Sequence, residues 1–190
     1  EALLWLADCA ERLFASEPKL LRLRSPVFVL GDLHGNMEEV QWFSKRLWAL
    51  GPLHSAGTFL FLGDLVDRGP NSVELLAYML ALKVASPRKF KILRGNHETR
   101  RMNMQYGFAS ACCSMFGQVN GRRVFDRMSR VFDAMPLAAL IDGHVFASHA
   151  GLPRPVRGTF AGLLKRIEAL PSHVESVMDG GFRIGPVAAP

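Results

Sequence analysis

Three short clusters gather side chains able to bind metal or move protons. They are Gly31-Asp32-Leu33-His34-Gly35, Gly63-Asp64-Leu65-Val66-Asp67-Arg68-Gly69 and Gly95-Asn96-His97-Glu98. Asp, His and Asn supply oxygen and nitrogen ligands suited to hard or borderline cations such as Mn, Fe or Zn. From Asp32 to Asp64 and from Asp64 to Asn96 the interval is 32 residues each time, room for one strand–helix unit per cluster. The glycines permit tight turns, so that short side chains can converge on one point. One such cluster alone is compatible with an ordinary turn. Three at matching positions point to a shared site.

The elements that would position them follow from the flanking pattern. Short apolar runs at Val27–Leu30, Thr58–Leu62 and Phe90–Leu93 each end at one cluster and read as buried strands. Between them, Glu38–Leu50 and Val73–Lys83 carry helical periodicity, the second with Asn71 or Ser72 as N-cap. Strand–helix–strand–helix–strand predicts parallel strands with right-handed crossovers, their ends along one sheet edge where open α/β sheets place ligands. A helix over Ala2–Ala15, ended by Pro18, precedes this core. Helices about Arg100–Phe116 and Gly121–Met135 follow it, then a hairpin of Leu137–Ile141 and Val145–His149 around Asp142-Gly143, then a helix over Phe160–Leu170. The tail from Gly180 to Pro190 reads as a loop or frayed end.

Composition sets the frame. With 49% hydrophobic and 21% charged residues, the 190-residue chain fits one globular domain, residues 1–190. The longest apolar run, near Leu75–Leu82, includes Tyr78 and is too short to span a bilayer, so no membrane partner is expected. Cys9 and the adjacent Cys112 and Cys113 suit neither a disulfide framework nor a zinc site, which suggests an intracellular protein, cytoplasmic or nuclear. The net charge of +6 is spread over Arg22/Arg24, Arg88/Lys89/Lys91, Arg100/Arg101 and Arg122–Arg130. A nucleic-acid surface would gather it beside exposed aromatic residues, so no nucleic acid is expected. His54, His144 and His173 read as surface residues, and Trp5, Trp42 and Trp48 as core packing. The chain opens on Glu1 rather than Met, so sequence before it is expected.

The three clusters resemble the signature segments of the phosphoprotein phosphatase family, the Ser/Thr protein phosphatases of the calcineurin-like metallophosphoesterase group. The resemblance runs from about Ala7 to Leu152. It includes Arg12–Pro18, Arg94–Glu98 followed by Tyr106-Gly107-Phe108, Met135–Asp142 and Ser148–Leu152. It implies a calcineurin-like α/β fold, with central β-sheets flanked by helices.

The resemblance also implies roles. Asp32, His34 and Asp64 would hold one divalent ion, and Asp64, Asn96 and His149 a second, Mn serving best in vitro with Fe or Zn as alternatives. A hydroxide bridging the two ions would attack the phosphorus of a phosphoserine or phosphothreonine on a protein substrate. Arg68 and Asn96 would bind phosphoryl oxygens, His97 would protonate the leaving oxygen, and Asp67 would orient His97. Arg94 reads as a supporting or surface arginine, and Glu98 as structural. A regulatory subunit would be a natural partner.

The chain departs from the family in places. Ala150 precedes Gly151 where two glycines are usual, and Asn36 stands where glutamine is usual. Ala150 and Gly69-Pro70 also occur in dinucleoside polyphosphate hydrolases of the same group. Nothing after Gly151 resembles the family's C-terminal stretch, which supplies a further metal histidine, a second phosphate arginine and a tyrosine. The catalytic domain is therefore expected to be incomplete at its C-terminus. A non-catalytic scaffold and a dinucleoside polyphosphate hydrolase are the competing readings.

Overall fold

Pro18 cannot continue a helix, and α1 (Ala2–Ser16) stops just before it. The helix buries Ala7, Ala10 and Phe14, one apolar stripe at helical spacing. There follow β1 (Leu20–Leu23), β2 (Val27–Leu30), α2 (Met37–Leu47), β3 (Thr58–Phe61), α3 (Ser72–Ala85) and β4 (Phe90–Ile92). The second half holds α4 (Arg100–Tyr106), α5 (Phe108–Ala134), β5 (Ala138–Ile141), β6 (Val145–Ser148), α6 (Phe160–Glu168), β7 (Val174–Ser176) and β8 (Phe182–Ile184). The computed structural model describes residues 1–51, 54–151, 159–176 and 182–184.

Strands β2, β3 and β4 form one parallel sheet in that order, as the strand–helix alternation predicts. A second sheet has the order β1-β5-β6, with β1 parallel to β5 and β5 antiparallel to β6. Strand period 2 sorts the β3 side chains between two cores. Phe59 and Phe61 join α1, α3 and α5 in the larger core. Leu60 points the other way, into a cluster with Leu21, Ala139 and Ile141 between the sheets. On the far side, Leu20, Ala138 and Leu140 pack against Ile167 of α6. The layers are thus helices, sheet, sheet, helix.

Several expectations are corrected. Strand β1 was not expected, and the helix after Arg100 breaks at Gly107 (φ 118) rather than running to Phe116. Beyond it α5 is two helical stretches joined across a kink at Gly117 (φ 77, ψ 164), so the expected break after Phe116 is present, and the second stretch reaches Ala134. Trp48 packs edge-on against Phe59 and Phe90, but Trp5 and Trp42 are 63% and 51% exposed. The Trp42 ring is covered on one face by Arg46, 4.0 Å from its centroid. His54 and His144 are exposed, whereas His173 is partly buried, with Nε2 3.1 Å from Glu11 Oε1. The tail is not all loop, since β8 pairs antiparallel with β7. Gly180, Gly181 and Gly185–Pro190 lie outside the described residues.

One buried charge carries weight in this core. Lys83 of α3 is fully buried and donates to Glu17 Oε1 at 2.6 Å, the same oxygen that Lys91 reaches at 2.6 Å. Burial pushes the Lys83 amine down from 10.5 to about 8, and Glu17 acts in the opposite sense. The folded state therefore holds this proton less tightly than the unfolded chain, and stability rises with pH between those values. Below about pH 8 the amine is a buried cation that Glu17 offsets. Glu17→Gln is expected to cost about 3 kcal/mol of unfolding free energy at pH 6. The cost should shrink above pH 8, as read by urea denaturation across pH. A loss independent of pH would contradict this account.

Candidate active site

The turns after β2, β3 and β4 interlock through their backbones. Leu33 and His34 donate their N–H groups to Asp64 O at 3.0 and 2.9 Å, and Gly35 donates to Leu65 O at 2.9 Å. The fully buried Glu98 carboxylate accepts from the N–H groups of Asp64, Leu65 and Gly95, each at 2.8 Å. Burial and then the Asp64 charge push the Glu98 carboxyl upward, while these three donors oppose the shift. Four non-glycine residues here adopt left-handed backbone: His34 (φ 41), Asp64 (φ 54), Asp67 (φ 70) and Arg68 (φ 66). Such strain persists only where the surroundings over-determine it.

Asp64 Oδ2 lies at the centre of the resulting cluster. It is 3.5 Å from His34 Nε2 and 3.3 Å from His149 Nε2. Asp32 approaches both rings, at 3.7 Å from His34 Nε2 and 3.8 Å from His149 Nδ1. Asn96 Oδ1 is 2.9 Å from His149 Nε2. The other carboxylate oxygen, Asp64 Oδ1, accepts the His97 N–H at 2.9 Å and so turns Oδ2 toward the cluster. His34 Nδ1 donates to Val66 O at 2.9 Å, which leaves the Nε2 lone pair facing inward.

This donor set fits divalent cations. Ligands about 2.1 Å from an ion stand about 3.0–3.4 Å from one another around it. The observed separations bracket that range. His149 turns Nε2 toward Asp64 Oδ2 and Asn96 Oδ1, while its Nδ1, the ring atom nearer Asp32, is buried without a hydrogen-bond partner. The ligand atoms of Asp32, Asp64 and His149 all lie within 4.8 Å of one another, and so do those of His34, Asp64 and His97.

Beside the cluster lies a chain of contacts that runs from Asp67 through His97 to Arg68 and Tyr106. The side chains of His97 and Asp67 are fully buried, with His97 Nδ1 donating to Asp67 Oδ2 at 2.8 Å. On the opposite ring edge, Arg68 Nη2 donates to His97 Nε2 at 3.3 Å. Arg68 is exposed, and its guanidinium stands 5.8 Å from the Tyr106 ring centroid. Tyr106 in turn meets the His97 ring edge-on at 5.1 Å.

The structure thus brings together Asp32, His34, Asp64, Asp67, Arg68, Asn96, His97 and His149. Arg94 stands behind them rather than among them. It donates to Glu98 O at 2.9 Å and Val174 O at 2.6 Å, and pairs with Asp133 at 3.0 Å. Sequence reasoning missed two side chains, Tyr106 and Asn103. Tyr106 lies ten residues past Asn96, outside the three clusters, and nothing in its spacing marks it. Asn103 donates to Asp67 Oδ2, and only the fold of α4 places it there.

Residues 25–178 match the family described as calcineurin-like phosphoesterase, and the chain belongs to that family. It is 40% identical over 157 residues to "Serine/threonine-protein phosphatase BSL2" of Arabidopsis thaliana, covering 80% of this chain and 15% of that protein. A solved protein serine/threonine phosphatase from Saccharomyces cerevisiae, with similarity to human phosphatase PP5, superposes with a TM-score of 0.80 at 30% identity. It covers 94% of this chain and 55% of its own. A cold-active protein-tyrosine phosphatase of a Shewanella species shares the fold, with a TM-score of 0.59 at 16% identity over 82% of this chain and 48% of its own. The chain therefore spans about half the length of these solved relatives and a small part of the plant protein.

The close approach of β3 and β4 yields a test. A Cβ at Gly95 would collide with the Asp64 carboxylate and its backbone amide. Gly95→Ala is expected to weaken Mn²⁺ binding by at least about tenfold in calorimetric titration, with helical circular dichroism retained. Unchanged affinity would contradict the placement of Asp64 at the centre.

Proposed function

We propose that residues 1–190 belong to a single metallophosphoesterase catalytic domain of a protein that hydrolyses phosphoserine and phosphothreonine monoesters on proteins. The observation behind this reading is the Asp64 cluster lying beside a buried Asp67–His97 pair that ends on Arg68. Asp32, His34 and Asp64 would hold one divalent ion, and Asp64, Asn96 and His149 a second. Manganese, iron and zinc all suit these ligands. When bound, the two ions supply an activated water and positive charge for the phosphoryl group.

The chain's own residues do the rest. Arg68, exposed and free to swing from His97 Nε2 toward a phosphate, binds phosphoryl oxygens with its planar fork, beside the Asn96 amide. His97 would keep its Nδ1 proton on Asp67 and, with Arg68 turned to the phosphate and Nε2 protonated in its place, would give that Nε2 proton to the departing serine or threonine oxygen. Asp67 holds the ring in that orientation and stabilises its positive charge. A scaffold would give the alignment of Asp67, His97 and Arg68 no purpose. Likeness to proteins named Ser/Thr phosphatases favours protein monoesters over dinucleoside polyphosphates. Phosphoproteins are the proposed substrates, and a regulatory subunit is a proposed partner. No helix of the described residues is long and apolar enough to cross a membrane. The three cysteines are free, in keeping with an intracellular protein in the cytoplasm or nucleus.

The acid role separates substrates by leaving group. A serine or threonine alkoxide departs poorly without a proton, whereas p-nitrophenolate is a weak base and leaves unaided. His97→Gln is expected to slow the intact Mn²⁺-loaded protein about 10²–10⁴-fold on a phosphothreonine peptide and far less on p-nitrophenyl phosphate. Diadenosine tetraphosphate, included in the same assay, should be cleaved more slowly than the peptide by the unmodified protein. Equal losses on both monoesters would remove the acid role, and preference for the dinucleotide would move the assignment to the other branch.

A further inference from the structure

Asn103 is fully buried on α4, yet only half of its amide is used. Its Nδ2 donates to Asp67 Oδ2 at 2.9 Å and to His97 O at 2.6 Å. Its Oδ1 is buried with no hydrogen-bond partner. Both neighbours of Nδ2 are acceptors, so the amide cannot be turned around without setting oxygen against oxygen. A buried, unpaired carbonyl oxygen is destabilising, and an apolar side chain of the same volume would avoid it. The residue is thus poorly explained by packing and well explained by what Nδ2 touches.

Those contacts complete the surroundings of the Asp67 carboxylate. Oδ1 accepts the Phe108 N–H at 2.8 Å, and Oδ2 accepts from both His97 Nδ1 at 2.8 Å and Asn103. The carboxylate plane is therefore fixed from both ends of α4. At the first end, Arg100 anchors the helix through a two-pronged pair with Asp133, at 3.0 and 2.7 Å. At the last, Gly107 takes the left-handed backbone that turns Phe108 N toward Asp67. By bonding the backbone of His97 as well as the carboxylate that holds its ring, Asn103 sets the two partners of the acid pair relative to each other.

We infer that Asn103 is a positioning residue for the Asp67–His97 pair, acting on leaving-group departure without touching substrate or metal. The inference rests on the proposed acid role of His97 and deepens it. Without Nδ2, Asp67 retains its bonds to Phe108 and His97 but loses the second donor on Oδ2, and with it the link between that oxygen and the His97 backbone.

The test compares His97→Gln, Asp67→Asn and Asn103→Leu in the intact Mn²⁺-loaded protein. Leucine keeps the branched outline of asparagine and removes the unpaired oxygen but is bulkier, so circular dichroism first checks that the fold is kept. If it is not, Asn103→Ser is read in the same way. Asn103→Leu is expected to reduce kcat on a phosphothreonine peptide at least about tenfold, the size of one hydrogen bond to a charged group. The loss on p-nitrophenyl phosphate should be several-fold smaller, with Mn²⁺ content unchanged. The low-field proton resonance of His97 Nδ1, read in the diamagnetic Zn²⁺-loaded protein and identified by its absence in His97→Gln, should shift or broaden. Equal losses on the two substrates, or an unmoved resonance, would overturn the inference. If His97→Gln itself shows no dependence on leaving group, the acid role falls and this inference with it. If His97→Gln shows that dependence and Asn103→Leu does not, only the positioning role falls.

Discussion

The carboxylate of Glu98 holds the ends of β3 and β4 together, and most of the site follows from that constraint. Its two oxygens accept three backbone N–H groups, two from the turn after β3 and one from the turn after β4. Burying a carboxylate costs several kcal/mol, and each hydrogen bond to a charged group returns about 1.5–3 kcal/mol. The two sides nearly cancel, so what the arrangement contributes is geometry rather than stability. It forces Asp64 into left-handed backbone and sets Gly63 against Gly95, closer than any side chain would allow. From there Asp64 Oδ1 takes the His97 N–H, and Oδ2 is left facing His34 and His149.

Two sheets converge on that point from different directions. The β2-β3-β4 sheet delivers Asp32, Asp64 and Asn96 from its strand ends, while the hairpin of the other sheet brings His149 just past β6. The apolar layer of Leu21, Leu60, Leu93, Ala139 and Ile141 fixes how the sheets lie on each other, and hence how far His149 stands from Asp64. Behind β4, Arg94 ties Glu98 to Asp133 and to β7. Helix α4 is pinned to the same Asp133 by Arg100. The Asp67–His97 pair and the Asp64 cluster therefore share one buried framework.

Much of this was legible before folding. Val27–Leu30 is a strand to the residue, and the runs at Thr58 and Phe90 differ only at their last residue, because a short apolar run halted by glycine leaves little freedom. Strand β1 was not legible. Leu20–Leu23 lacks any β-branched residue, and its partner β5, with Arg22 opposite Leu140, lies far along the chain. Helical periodicity placed Trp5 and Trp42 on helices but did not reveal which flank of each helix faces water. The metal-ligand candidates stood out because glycine flanks them at even spacing. Asn103 has no such signature, since its meaning depends on which residues α4 happens to face.

In the proposed reading, Asp64 Oδ2 would serve two ions at once. Anomalous scattering from crystals of the intact protein grown with Mn²⁺ measures this most directly. It should reveal two peaks flanking that oxygen, one beside Asp32 and His34 and the other beside Asn96 and His149. A single peak held by His34, Asp64 and His97, the competing group of ligand atoms within reach, would contradict it.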